Sequence, residues 1–397
     1  MQKQATVFSQ LLQLIPWGVF DRAVAAHRAD KGRRTLSTRS HLAALLAGQL
    51  FDAYGLRDIE AVMAIHAGSL RRRNIEPARR STLSDANATR TPEVFEAIVP
   101  ALLAKLSPQP LAETEKALRI IDSTLVRPGA RAAEWARFEK RSVAAKVHVV
   151  YDPACQAPVF FHLTCGNSSD ITVAKTAMPT TAGATYVFDL GYHDFGFWAA
   201  LDAAGCRLVT RLKRNTKVTV KGERPIAGET GILADTIVAL SQRLSLSRRN
   251  PFPRDGRMIV VHRDDGKPLT LFTNDLASPA CQIAALYRRR WDIELFFRWI
   301  KQHLKIKRFH GRGENAVRLQ IAAAIILYIV MKIDLQDHKV DAQRPLGDPG
   351  NPVPPPRHSP PLARRRTPAA QIQGQTPTSA PLRHMTANRT ALGQARE

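Results

Sequence analysis

Residues 287–311 read YRRRWDIELFFRWIKQHLKIKRFHG. Eight Arg and Lys stand against one Asp and one Glu, and no Gly or Pro interrupts the run before Gly311. The pattern predicts a helix. At about 100° per residue, Tyr287, Arg290, Glu294, Arg298, Lys301 and Lys305 share a stripe about 80° wide, while Ile293, Leu295, Phe296, Phe297, Trp299, Ile300 and Leu304 fill the opposite arc. Pairs at i,i+4 such as Arg290–Glu294 give a purely structural reason for one glutamate among cations, worth about 0.2–0.5 kcal/mol each. They leave the excess of positive charge unexplained. A phosphate backbone lying along the stripe accounts for that excess. A divalent cation would then compensate the carboxylate while binding phosphate oxygens.

A metal needs further carboxylates, and two candidates close apolar strands. Asp122 lies in LRIIDSTLV and Asp189 ends ATYVFD. A solitary acid at such a place is commonly a turn or cap residue. Two on strands expected to be neighbours, with Glu294 on a helix after the last strand, form a set able to hold two Mg²⁺ ions for in-line phosphoryl transfer. The order around them, three strands, a helix, a strand and a helix, is the opening order of a ribonuclease-H-like fold. The strands expected are LRIIDSTLV, then AAKVHVV and APVFFHLTC joined by an Asp152-Pro153 turn, then ATYVFD; the helices are SSDITVAKTAM and DFGFWAALDAAG, the latter closed by Gly205. RLVTRLKRNTKVTVKG and a hairpin around Asp265-Gly266 read as a basic, β-rich insertion at about 206–268, with LTLFT as the last core strand.

The spacing Tyr287-x2-Arg290-x3-Glu294-x6-Lys301 resembles the signature of the insertion-sequence-4 group of DDE transposases. So do IIDSTLV, LTCGNSSD (163–170), FDLGY and the RWDIELFF segment, while FSQLLQLIPWGVF, LRDIEAVM and RRSTLSDAN resemble the helical domain that precedes the core in one branch. The resemblance spans about residues 5–333. It implies a ribonuclease-H-like core of mixed sheet flanked by helices, with a β-rich insertion before the Glu. It implies a DNA transposase: Mg²⁺-dependent cleavage at element ends, Mn²⁺ substituting, and strand transfer into target DNA, commonly through a DNA hairpin. Asp122, Asp189 and Glu294 would be the catalytic metal ligands, and Tyr287, Arg290 and Lys301 would grip terminal-strand phosphates, with Arg298 and Lys305 alongside. The partners implied are double-stranded terminal inverted repeats and target DNA, with a dimer in the synaptic complex. One departure is Asp-Leu-Gly-Tyr after the second acid, where many relatives carry Arg.

The whole chain is basic, with 58 Lys+Arg against 34 Asp+Glu, a net charge of +24. That excess suits a polyanion, nucleic acid or an acidic membrane face, and a merely solubilising surface fits it too. The amino end lacks the pattern of a signal peptide, and the run IAAAIILYIVM at 321–331 is too short to span a bilayer, where about 20 residues are needed. It reads as a buried helix, in a protein of the bacterial cytoplasm and nucleoid. Four cysteines without CxxC spacing read as free thiols. His148 and His162 read as half-buried structural residues, and Asp152 and Asp170 as turn and cap.

Residues 1–110 are expected to form an all-helical domain that binds DNA. A helix from about Leu56 to Ile65, a basic connector and a helix capped by Ser81 suggest a helix-turn-helix-like module, with Arg79, Arg80 and Arg90 on phosphates. A plain bundle with a solvated basic face fits the same residues. Thr91 and Pro92 should open the next helix. The catalytic domain is expected over 111–335. Residues 336–397 hold 11 of the 26 prolines and no aromatic residue, so a disordered tail is expected. Its abrupt onset suggests a frameshift or truncation, hence the alternative of a catalytically inactive copy that only binds DNA.

Overall fold

The computed structural model describes residues 7–343 except 107–116, 128–135, 140–141, 227–230, 242, 246–247, 253, 263–265, 304–308 and 312. Among these residues, eight helices precede the first strand: α1 (Val7–Leu14), α2 (Trp17–Ala26), α3 (Thr38–Leu50), α4 (Leu56–Ile65), α5 (Ala67–Arg71), α6 (Arg80–Thr89), α7 (Glu93–Glu96) and α8 (Val99–Leu103). The helix predicted from Leu56 to Ile65 has those bounds. The next one differs. It starts at Arg80, so Ser81 lies inside it, and the carboxylate of Glu60 accepts from Arg80 N at 2.9 Å in place of a serine cap. The helix expected after Thr91 is two short ones, because Pro100 has no N–H to continue the first.

The sheet is built outward from β1 (Leu118–Val126). β2 (Ala145–Asp152) pairs with it antiparallel, and β3 (Ala157–Cys165) pairs antiparallel with β2. The Asp152 carboxylate shapes their turn by accepting from Ala154 N, and it also holds Arg119 of β1 at 2.9 Å. α9 (Asp170–Thr176) then leads to β4 (Thr185–Phe188), parallel to β1, and α10 (Phe195–Ala203) crosses to β5 (Arg207–Arg211), parallel to β4. Parallel neighbours need such crossovers. Asp194 caps α10 by accepting from Phe197 N, and Gly205, at φ +71°, turns the chain out of it.

Four more strands extend the same sheet: β6 (Val218–Glu223), β7 (Ile232–Leu240), β8 (Asp255–Val261) and β9 (Leu269–Thr273), giving the order β3-β2-β1-β4-β5-β9-β8-β7-β6. RLVTR, read from sequence as the start of the insertion, is therefore a central parallel strand. LTLFT lies antiparallel beside it. Alternation of Val, Leu and Thr is compatible with either role, and only the pairing partner distinguishes them.

Three helices complete the unit: α11 (Ala280–Arg288), α12 (Trp291–His303) and α13 (Glu314–Gln343). The single helix predicted from Tyr287 onward is broken at 289–290. There Arg290 N and Asp292 N bond to carbonyls three residues back rather than four. α13 continues ten residues past Ile333, so residues 336–343 are helical rather than tail; the remainder of the expected tail lies outside the described residues.

All of this belongs to one compact unit, Met1–Arg344. One face of the sheet carries α9 and α10 over Tyr186, Phe188 and Phe272, with Trp198 of α10 stacked on Phe272 at 5.1 Å. The other face carries α11 to α13 and, beyond them, the amino-terminal helices. α13 is long and apolar enough to cross a membrane, yet 83% of its apolar window is buried inside the protein. It is apolar on every side because every side meets a neighbour. Polar residues fix its placement: Arg318 pairs with Glu93 at 2.6 Å and Glu96 at 2.8 Å, Asn315 donates to the carbonyls of Asn87 and Arg90, and Tyr328 donates to Gln156 O of the β2–β3 turn.

Among the described residues, the extension of the sheet holds one fully buried ion pair. Arg257, 1% exposed, meets the Asp235 carboxylate with Nε at 2.6 Å and Nη2 at 2.5 Å. Removing one partner strands the other in a medium that cannot solvate it. Asp235→Ala is therefore expected to lower stability by about 3–5 kcal/mol in urea unfolding, and the double variant Asp235→Leu/Arg257→Met to recover most of the loss. An unchanged urea midpoint in Asp235→Ala would sink this account of the pair.

Candidate active site

β1 and β4 are adjacent and parallel, with Ile121 paired to Phe188. Asp122 and Asp189 each follow directly, so the register brings both acids to the same end of two neighbouring strands. Neighbouring strands lie about 4.8 Å apart. Asp189 leaves the sheet at once: its Oδ1 accepts from Gly191 N at 2.8 Å, closing the short 3₁₀ turn Leu190–Tyr192. A Cβ on Gly191 would sit 3.0 Å from that oxygen, close enough that the Asp189 carboxylate would have to shift.

The third acid arrives from the helix layer. α12 packs on β1, held by Phe296 against Tyr151 of β2 and Tyr328 of α13 at 5.5 and 5.1 Å. The break between α11 and α12 puts Arg290 in the connecting turn, half-buried. Its Nη2 lies 2.6 Å from Glu294 Oε1 and its Nη1 lies 3.6 Å from Asp122 Oδ2. One guanidinium thus spans two of the three predicted acids. The electrostatics include all three. Burial first, and then the neighbouring charges of Asp189 and Glu294, push the Asp122 carboxyl up to about 6, against the opposing pull of Ser123 N–H and Arg290.

The remaining predicted residues divide. Tyr287, buried at the end of α11, lies beside Arg290, Arg211 and Asp189, and burial pushes its phenol up. Lys301 is half-buried two turns beyond Glu294, beside Thr124 and Val126 further along β1. Arg298 is exposed. Lys305 lies outside the described residues. Leu295, placed on the buried arc by the helical wheel, is 54% exposed. Arg79 and Arg80 are exposed at the start of α6. Arg90, expected on phosphate, is instead built into the fold: it donates to Leu36 O and to Thr38 Oγ1.

Sequence reasoning missed a neighbouring group. Asp170, expected as a cap, is instead the first residue of α9 after the N-cap Ser169, and its side chain faces the site. His148, fully buried rather than half-buried, stands with Nδ1 3.3 Å from Asp170 Oδ1, and Lys146 Nζ is equally close. Burial pushes the Asp170 carboxyl up, but contacts from His148 and Ser123 and the Lys146 charge outweigh it and hold it at about 2. Tyr192 is buried with its hydroxyl unbonded among the described residues; burial, then Asp170, Asp122 and Asp189, push its phenol up. The available signal was LTCGNSSD itself, a box whose position in the chain explains nothing if Asp170 only caps a helix.

The acids are all oxygen donors, a set suited to a hard divalent cation, and the strain on the Asp122 carboxyl is of the kind such a cation relieves. As the side chains stand, no three His, Cys, Asp or Glu among the described residues are close enough to hold one. Arg290 lies between Asp122 and Glu294 and supplies the positive charge.

Residues 113–330 match the family model described as the transposase DDE domain, and residues 3–72 match a domain of unknown function, DUF4372. The chain is 41% identical over 259 residues, 65% of its own length and 72% of the relative's, to a Sinorhizobium fredii protein carried under the name transposase y4zB. It is 29% identical over 220 residues to a Geobacillus stearothermophilus protein named as transposase for insertion sequence element IS5377, spanning 55% of this chain and 56% of that one. A solved piggyBac transposase synaptic complex with hairpin DNA aligns over 87% of this chain and 78% of its own, at 9% identity and a TM-score of 0.48.

The raised Asp122 carboxyl has a consequence for stability. A folded-state pKa above the unfolded one means that the protonated acid favours folding at low pH and that this contribution is lost as pH rises through about 6. In metal-free buffer, Asp122→Asn is expected to raise the melting temperature at pH 8, by on the order of 1–3 kcal/mol of stability, and to gain about a third as much at pH 4.5, inside the window between the unfolded and folded pKa values. Thermal melts at the two pH values check it; a variant less stable than the parent at pH 8 contradicts the reading.

Proposed function

The chain belongs to the DDE transposase family of insertion sequences, and we propose that it cuts DNA at the ends of its element and joins them to target DNA through Asp122, Asp189 and Glu294. The observation that carries this is the convergence on Asp122: a half-buried strand acid whose carboxyl feels both of the others and shares a guanidinium with one of them. The reading includes a ribonuclease-H-like core over about 111–335, supported by the order β3-β2-β1-β4-β5 with its first three strands antiparallel and the last two parallel. It also includes an amino-terminal DNA-binding domain over about 1–110.

The three acids would hold Mg²⁺, with Mn²⁺ as a substitute. When bound, the metal sharpens a water or 3′-hydroxyl as nucleophile and stabilises the departing 3′-oxygen. The chain's own residues supply the rest. Arg290 is already held where a scissile phosphate would meet the acids, and its planar fork suits bidentate contact with phosphate oxygens. Tyr287, pressed against Arg290, fixes that guanidinium from the α11 side. Lys301 and Arg298 would carry the strand onward along α12, and Lys305, close behind them in sequence, is proposed to join them. Terminal inverted repeats are the substrate, a hairpin end is the intermediate, and a dimer bridges the two ends in the cytoplasm of a bacterium, on nucleoid DNA.

The test is nicking of a duplex carrying the element's own end, with and without Mg²⁺. Loss of a metal ligand removes several kcal/mol of transition-state stabilisation. Asp122→Asn, Asp189→Asn and Glu294→Gln are each therefore expected to cut nicking by at least about 100-fold while leaving binding, read by gel shift, within about twofold. Parent protein that binds the end and never nicks it would support the alternative, a copy that only binds DNA. Nicking that survives all three substitutions would end the proposal.

A further inference from the structure

A second basic concavity is formed entirely by residues 27–36 and 82–91. One wall is the turn between α2 and α3, HRADKGRRTL, which carries Arg28, Lys31, Arg33 and Arg34, all exposed. The other is the face of α6 that presents Thr82, Asp85 and Thr89. The cleft is open and has a volume of about 520 Å³. Asp85 is the one acidic side chain among the described residues that line it. The turn lies inside the stretch matched by the domain of unknown function.

This is a built turn. Arg28 at φ +50° and Gly32 at φ +70° take left-handed backbone, which a non-glycine residue adopts only where its surroundings hold it. Ala29 N bonds to Val24 O and Lys31 N to Arg28 O, both at 2.9 Å. Asp30, the carboxylate nearest these cations, is committed elsewhere. Its Oδ1 accepts from both N and Oγ1 of the buried Thr38 at 2.8 Å, and Arg33 approaches it only to 3.8 Å. At the back of the cleft Arg90 is pinned to Leu36 O and Thr38 Oγ1. Burial pulls its pKa down, and the charge of Arg33 adds to that against the attraction of Asp30. The cleft thus gathers five cations around fixed backbone with few anions to answer them.

The usual alternative is closed. In a helix-turn-helix arrangement the amino end of the second helix faces the DNA, but here Glu60 already bonds to Arg80 N and places a negative charge at that end of α6. We propose that the cleft between the 27–36 turn and α6, rather than the amino end of α6, is where the helical region grips the phosphodiester backbone of duplex DNA. The choice of DNA as partner rests on the function proposed above; the location of the grip does not. A preformed basic cleft on backbone phosphates positions the duplex without reading its sequence.

The experiment uses the full chain and a fluorescein-labelled 40-base-pair duplex of random sequence, with anisotropy measured from 50 to 300 mM salt. Lys31, Arg33 and Arg34 are exposed, so Lys31→Ala/Arg33→Ala/Arg34→Ala is expected to fold like the parent. Each lost phosphate contact removes about 0.9 from the slope of log affinity against log salt. The triple variant is thus expected to lose about 2–3 in slope and about 10- to 100-fold in affinity at 100 mM salt. Arg79→Ala/Arg80→Ala should change both far less. Unchanged slope and affinity in the triple variant would reduce the cleft to a solvated basic loop and overturn the inference. So would a loss confined to vesicles containing phosphatidylserine, with duplex binding intact. Failure of the catalytic reading would show separately, in nicking rather than in these curves.

Discussion

The arrangement at the centre of this protein depends on one guanidinium. Three carboxylates brought from two strand ends and a helix repel one another, and partial burial raises the cost of each charge. Arg290 answers two of them at once, at 2.6 Å from Glu294 and 3.6 Å from Asp122. Its position follows from the break between α11 and α12. In an unbroken helix Arg290 would point wherever the turn count put it. In a tight 3₁₀ connection it leans toward β1, and α12 can start with a new orientation set by its aromatic contacts. On the proposed function, DNA and metal would compete with this same pairing, so the residue that lets the acids converge would also set the cost of using them.

That local balance needs a rigid surround, and α13 supplies much of it. The helix touches the sheet through Tyr328 and the β2–β3 turn, the aromatic contacts of α12, and the amino-terminal helices through Asn315 and Arg318. Its apolar residues over 316–330 are all buried, so displacement of that stretch in any direction exposes area worth about 25 cal/mol per Å². Helices α1 to α8 and the sheet therefore share one core, although their sequences read as separate segments. The polar residues on α13 act as register marks, since apolar contacts alone would permit the helix to slide or rotate.

Legibility in the sequence followed the range of the interactions. The strand acids were readable because an acid closing an apolar strand is a local anomaly, and the pairing of Ile121 with Phe188 then placed them side by side. Glu294 was readable through the charge stripe and the family spacing. The helix break at 289–290 was not, because Arg-Arg carries no breaking signal and the turn is imposed by the packing of Phe296 and Tyr287 on different partners. Arg90 looked like a phosphate contact and is a structural donor, since nothing local reveals that Leu36 O lies within reach. Asp170 was read as a cap, but Ser169 holds that position and Asp170 is the first helical residue; its contacts with His148 and Lys146 depend on a strand that is distant in the chain.

The same distinction governs the net charge of +24. Composition shows the excess but not its address. Arg119, Arg257, Arg318 and Arg90 are spent on carboxylates or carbonyls inside the fold. An arginine so held is a poor candidate for DNA, because releasing it exposes a partner whose desolvation was already accounted for in folding. The cations of the 27–36 turn are different: Asp30 is tied to Thr38 by two hydrogen bonds and meets only Arg33, at 3.8 Å, and Asp85 is the one acid lining the cleft among the described residues, so an incoming phosphate would disturb at most one long ion pair. A basic protein therefore binds a polyanion where its folding has left positive charge unanswered, and the positions of its acids predict that place better than the positions of its arginines.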